Sequence, residues 1–166
     1  LNAAIEDPNP YLFFEHKALY RSNKEKIYDD YYTSEVGKAK IISAGSDLTI
    51  ITYGMGVHWA VDIAKKFTDH SIEIVDLRTL QPWDKETVKE SVEKTNKTII
   101  IHEDTITGGI GAEISAWITE NCFSSLDGPV LRVGGLDTPV PFRKELEENF
   151  MPLSRIEEKI NMLLRY

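Results

Sequence analysis

His102 and Glu103 close an apolar run, Thr98-Ile99-Ile100-Ile101, and an imidazole beside a carboxylate is a pair suited to moving protons near neutral pH. Neighbouring strand residues point to opposite faces, so these two do not form a dyad by themselves. A histidine fixed by hydrogen bonds at a domain or subunit contact is the favoured reading. Gly108-Gly109-Ile110-Gly111 follows and opens a helical pattern, a place where free N–H groups can hold an anion. The spacing is not G-x-G-x-x-G, and no Lys-Ser/Thr follows, so close packing of another backbone is favoured over phosphate. Arg78 could clamp a carboxylate, but pairing with Asp76 or Asp84 is the commoner fate. Pro82-Trp83-Asp84 reads as a rigid turn, an anchoring aromatic and a helix cap. His16, His58 and His70 lack metal-ligand spacing. The single cysteine, Cys122, sits in a helical pattern and reads as a small buried residue.

These residues need elements to position them. KAKIIS (38–43) and DLTIITYG (47–54) read as strands joined by a tight turn at Gly45, and so as an antiparallel pair. Residues 57–68 carry Val57, Ala60, Val61, Ala64 and Phe67 at helical spacing. IEIVDL (72–77) is the next strand, and Asp84 caps a helix over 85–94. TIIIH (98–102) is continuously apolar, as expected of a strand covered on both faces. Residues 110–122 form a helix burying Ile114, Trp117, Ile118 and Cys122. PVLRVG (129–134) is the last strand, and Pro139 and Pro141 mark an extended loop. Ser154 with Glu157 predicts a capping box for a final helix striped by Ile156, Ile160, Leu163 and Leu164. Upstream, PYLFF (10–14) reads as a buried strand after a helix tail at 1–6. Residues 22–38 read as a linker laid over a surface by Tyr28, Tyr31 and Tyr32. The order predicts an α/β fold of three αβα layers. Its five-stranded mixed sheet is mostly parallel, with one antiparallel edge strand.

The chain has 166 residues, 42% apolar and 28% charged, with a formal net charge of −8. That balance argues against nucleic acid, which asks for a basic face, and suits docking onto a basic partner. One cysteine allows no internal disulfide and fits a reducing compartment. No run approaches the ~20 apolar residues of a membrane helix. Leu1 in place of a starting Met, followed by NAAIEDPNP, predicts a piece of a longer protein.

Four stretches carry a family likeness: FFEHKALYR (13–21), DLRTLQPWD (76–84), HEDTITGG (102–109) and RVGGLDTPVP (132–141). Together they resemble the C-terminal domain of the beta subunit of 2-oxo acid dehydrogenases, most of all the branched-chain (2-oxoisovalerate) type. The pyruvate type and a transketolase-like sugar-phosphate enzyme are alternatives within the family. A self-standing doubly wound enzyme or ligand-binding domain is the alternative outside it.

The resemblance implies a transketolase C-terminal-domain-like fold over 39–166, a linker over 22–38, and the tail of a preceding pyrimidine-binding domain over 1–21. It implies an enzyme that uses thiamine diphosphate and Mg, with K at a structural site. The alpha subunit would hold the diphosphate, and the activating glutamate and catalytic histidine would precede Leu1. No catalytic or cofactor-binding residue is therefore placed on this chain. Ala4, Asp7 and Asn9 resemble part of the monovalent-cation site, incomplete here, although Asp-Pro-Asn is also an ordinary turn.

The domain's expected work is assembly: a two-fold homodimer, an alpha subunit or region, and the acyltransferase core through its basic peripheral-subunit-binding domain. Candidate contact residues are Trp83, His102, Glu103, Thr107, Gly108, Gly109, Ile110, Asp137 to Phe142, and Tyr166. A bacterial cytoplasm is favoured over a mitochondrial matrix.

Overall fold

β-branched residues become strands where neighbours on both sides take up their backbone N–H and C=O groups, and they stay there where helices cover both faces. The computed structural model describes residues 1–24, 26 and 29–166. In chain order its elements are α1 (Asn2–Glu6), α2 (Leu19–Ser22), β1 (Lys40–Ser43), β2 (Leu48–Thr52), α3 (Met55–Ala64) and β3 (Ile72–Asp76). Then come α4 (Lys85–Thr95), β4 (Thr98–Thr105), α5 (Ile110–Cys122), β5 (Leu131–Gly135), α6 (Lys144–Phe150) and α7 (Leu153–Leu163).

The sheet order is β1-β3-β2-β4-β5. β2 runs parallel to both of its neighbours, with Thr49 beside Glu73 on one side and Thr98 on the other. β5 is parallel to β4 and β1 is antiparallel to β3. The five-stranded mixed sheet with one antiparallel edge strand is as expected. The partner of that edge strand is not: β1 was expected beside β2 and lies beside β3. The turn after β1 explains the difference. Ser46 and Asp47 both donate their N–H to Ser71 O, at 3.0 and 2.9 Å, which carries the chain past the start of β3. Gly45 permits this close pass, because a Cβ there would stand 2.3 Å from Glu73 N.

Two apolar layers hold the sheet. On one face Leu48, Ile50, Ile74, Ile99 and Ile101 pack against Ala60 and Ile63 of α3 and Ile156, Ile160 and Leu163 of α7. On the other, Ile51, Val75 and Ile100 pack against Val88 and Val92 of α4 and Ile114, Ile118 and Cys122 of α5. Burying one such side chain is worth about 1.5–3 kcal/mol, against about 1 kcal/mol net for a hydrogen bond. The alternation of face along each strand therefore fixes the register.

Several local expectations give way. Residues 10–14 form no strand, and Leu12 and Phe14 are each 86% exposed. A lone segment cannot satisfy its backbone as a strand without a neighbouring edge, and none lies beside it among the described residues. The final helix starts at Leu153, one residue before Ser154, and no side chain caps it, so the predicted capping box does not form. α6 lies where an extended loop was expected. It buries only Phe150, too little for a visible apolar period. α3 begins at Met55 and ends at Ala64, ahead of the predicted 57–68. The surface under the linker is α1: the Tyr31 hydroxyl reaches Glu6, and Asn2 Nδ2 donates to Tyr32 O at 2.8 Å. Tyr28 lies outside the described residues.

Candidate functional site

The carboxyl ends of β4 and β5 bring together the two loops that the sequence singled out. His102, wholly buried, stands between them. Its Nδ1 lies 3.0 Å from Asp104 O; a carbonyl only accepts, so Nδ1 carries the hydrogen. Nε2 is buried without a partner. Three glycines press on the ring. A Cβ on Gly111 would sit 2.4 Å from Nε2, and on Gly109 and Gly134 2.8 and 2.7 Å from Cε1. Burial pulls the His102 pKa below the usual histidine value and Arg132 adds to that, against the Asp104 carbonyl and carboxylate.

The same two loops are tied outside the histidine. Thr107 donates its N–H to Asp137 Oδ1 at 2.9 Å and its hydroxyl to Oδ2 at 2.6 Å. These bonds, the hydroxyl first, hold the Asp137 carboxyl below its ordinary pKa. Ile106 N–H donates to Gly135 O at 3.0 Å and Arg132 Nη1 to Ile106 O at 2.8 Å. Thr105, Thr107, Asp137, Thr138 and Pro139 line an open cleft of about 430 Å³. Beyond it Val140 and Phe142 stand exposed, Phe142 fully.

Glu103 points away from His102 and accepts from His16 Nε2 at 3.0 Å, a partner that no spacing in the sequence signals. Between these groups Tyr53 is pushed up to about 12 by burial and by the Asp104 and Glu103 carboxylates. Asp76 is pushed above its usual value by burial. The backbone N–H of Arg78, donating at 3.1 Å, works against this.

Two contact candidates are spent inside the chain. Trp83 is only 8% exposed and packs edge-on against Trp117, with centroids 5.0 Å apart and Lys85 Nζ 5.7 Å from each ring. Trp83 and His102 therefore offer no face to a partner, because the chain's own core surrounds them. Glu103, Thr107, Gly108, Ile110, Asp137 and Phe142 do reach the surface, as does Tyr166 beside Gly128. Gly109 is buried. Asp84 accepts from Thr87 N and Oγ1 and from Ala39 N at 3.0 Å, so its role is to cap α4 and anchor the strand entering the sheet.

Asp7 makes an exposed turn. One of its oxygens accepts from Asn9 N and Nδ2 at 2.9 and 2.7 Å, and the other from the Tyr11 hydroxyl at 3.1 Å. A hard cation asks for six or more oxygens in one cage. Asp7 and Asn9 face each other here and present no such cage. Among the described residues no group of three or more His, Cys, Asp or Glu side chains could hold a metal. The glycine-opened start of α5 does not fit a diphosphate either. In the loop before it, Thr105 N–H and Thr107 N–H already serve the Asp104 and Asp137 carboxylates and are not free for an anion.

The family model described as transketolase, C-terminal domain, matches residues 37–155. The chain belongs to that family. Curated relatives of this transketolase C-terminal domain include the 2-oxoisovalerate dehydrogenase subunit beta of Bacillus subtilis (strain 168). It is 42% identical over 154 residues, which are 91% of this chain and 47% of that protein. The mitochondrial 2-oxoisovalerate dehydrogenase subunit beta of Dictyostelium discoideum is 47% identical over 144 residues, 85% of this chain and 39% of that protein. The pyruvate dehydrogenase E1 component subunit beta of Mycoplasma pneumoniae is 41% identical over 165 residues, 98% of this chain and 50% of that protein. This chain thus spans about half or less of the length of each. A solved structure titled "Split gene transketolase, inactive beta4 tetramer" shares the fold. Its TM-score is 0.68 at 23% identity, covering 85% of this chain and 46% of that one. No helix among the described residues is long and apolar enough to cross a membrane.

Proposed function

We propose that this chain is the assembly region of the beta subunit of a 2-oxo acid dehydrogenase. In that enzyme thiamine diphosphate and Mg would be held by other segments, and K by a site to which Ala4, Asp7 and Asn9 supply only part. The observation that carries the reading is the double tie between Thr107 and Asp137, which fixes a ledge beside the exposed Pro139–Phe142 segment. A rigid polar rim next to an exposed aromatic is the anatomy of a protein contact. The ledge would meet a second copy of the subunit across a two-fold axis, with an alpha subunit or region alongside. The net charge of −8 suits a basic peripheral-subunit-binding domain of an acyltransferase core as a further partner. Relatives of both the 2-oxoisovalerate and the pyruvate type match at similar identity. We favour 2-oxoisovalerate, with pyruvate second. The bacterial cytoplasm is the favoured compartment, the mitochondrial matrix the second.

Sedimentation velocity over a concentration series tests the reading. The chain should self-associate, and Phe142→Asp should weaken association at least tenfold while leaving the circular dichroism spectrum unchanged. A chain that stays monomeric at high concentration would sink the pairing. Turnover of a 2-oxo acid by this chain with added thiamine diphosphate and Mg would replace the assembly role with a catalytic one.

A further inference from the structure

Most buried histidines have both ring nitrogens hydrogen-bonded. His102 does not, and the reason lies in its surroundings. Nδ1–H is spent on Asp104 O, while the Nε2 lone pair faces the Gly111 backbone and finds no donor. A second ring proton would put a charged N–H against that backbone with no acceptor, a costly arrangement in a buried site. The ring lies against two elements at once, Gly109 and Gly111 at the start of α5 and Gly134 near the end of β5. A glycine at each of these positions lets the backbone close on the imidazole, so neither element can shift without losing its contact with the ring.

We propose that His102 is a proton-operated latch. Neutral, with the hydrogen on Nδ1, it holds the start of α5 against the end of β5, the base from which the Thr107–Asp137 ledge projects. Protonated, it forces them apart together. The charged groups that act on the ring are Asp104 on its own strand, which would favour the proton, and Arg132 on β5, which opposes it. The Asp104 carboxylate does not reach Nε2, which has no hydrogen-bond partner; its Oδ1 accepts from Thr105 N–H instead. Thr107–Asp137 and Ile106–Gly135 join the same loops and would loosen in the same event. What the latch regulates rests on the assembly reading; the latch itself is a property of this chain.

Nitrogen-15 spectra of the full chain from pH 8 to pH 5 test it. The His102 ring should report the Nδ1–H tautomer at pH 8. The Gly109, Gly111 and Gly134 amides should shift with one shared midpoint, below the ordinary histidine value of about 6.5. His102→Asn keeps a donor toward Asp104 O and should abolish that shared midpoint. Should the asparagine variant not fold, His102→Asn with Gly111→Ala fills the vacated space and serves in its place. An Nε2–H tautomer, three unrelated midpoints, or a shared midpoint that survives in the asparagine variant would each overturn the latch. Sedimentation at the two pH extremes separates the two readings. A shared midpoint without any change in association would leave the latch standing and remove its assembly role.

Discussion

Two apolar runs in this chain meet opposite fates. Ile99, Ile100 and Ile101 are 0% exposed in β4, between two helical layers. Tyr11 to Phe14, as apolar and more aromatic, lie in water, with Leu12 and Phe14 86% exposed. The arm is held by polar bonds instead: Tyr11 to Asp7, Asn2 to Tyr32 and His16 to Glu103. Hydrophobic composition thus creates a demand for burial, and topology decides whether it is met. A run becomes core only where parallel neighbours take its backbone and helices take both of its faces.

The contrast can be broken or sharpened by substitution. Ile100→Ala should cost about 2–5 kcal/mol, as large-to-small changes in a packed core do. Leu12→Ala should stay within about 0.5 kcal/mol. Urea midpoints of the two variants check this, and equal losses would mean that the arm is as deeply packed as the sheet. Gly45→Ala drives a Cβ to 2.3 Å from the Glu73 and Ile72 backbone. It should lower stability by roughly 1–3 kcal/mol. A thermal melt matching the parent would show that β1 can enter the sheet by another path.

Asp84→Ala removes the α4 cap and the anchor for Ala39 N together, and should cost about 1–2 kcal/mol. Burial pushes the Asp84 pKa up, but the Thr87 and Ala39 bonds and Lys38 outweigh it, so the group titrates below its usual value. Its contribution is therefore present at neutral pH and lost as pH falls through the folded-state pKa. A parent-minus-variant stability difference that grows towards acid would contradict this.

His102 acts in the same sense but in a higher pH window. Its pKa is depressed in the fold, so the unfolded chain binds the proton first. Stability should decline as pH drops below about 6.5 and level off below the folded value. Denaturant titrations across that range should show a slope that His102→Asn removes. The smallest effect belongs to the surface. Lys66→Ala breaks an exposed pair with Glu157 at 2.8 Å, and should change stability by less than about 1 kcal/mol, and less again in high salt.

Much of the site was legible in part. The HEDTITGG and RVGGLDTPVP stretches named both loops, and strand alternation separated His102 from Glu103. Their meeting was not legible, because Thr107 and Asp137 are thirty residues apart and only the parallel pairing of β4 with β5 brings them together. Trp83 read both as an anchoring aromatic and as a contact candidate. Its partner Trp117 lies on α5, thirty-four positions on, so nothing local could decide between the two. His16 had no signal, since its hydrogen bond to Glu103 spans 87 positions.

Period and composition by themselves determined the core strands and the four helices that cover them, α3, α4, α5 and α7. They did so because a strand covered on both faces must be continuously apolar and a covering helix must repeat near 3.6 residues. They also determined the α/β class and the antiparallel edge. Tertiary structure alone decided which strand that edge joins, that the aromatic arm pairs with no strand among the described residues, and that three glycines close around one imidazole. Each of those outcomes depends on distances between segments far apart in the chain, and local periodicity carries no information about them.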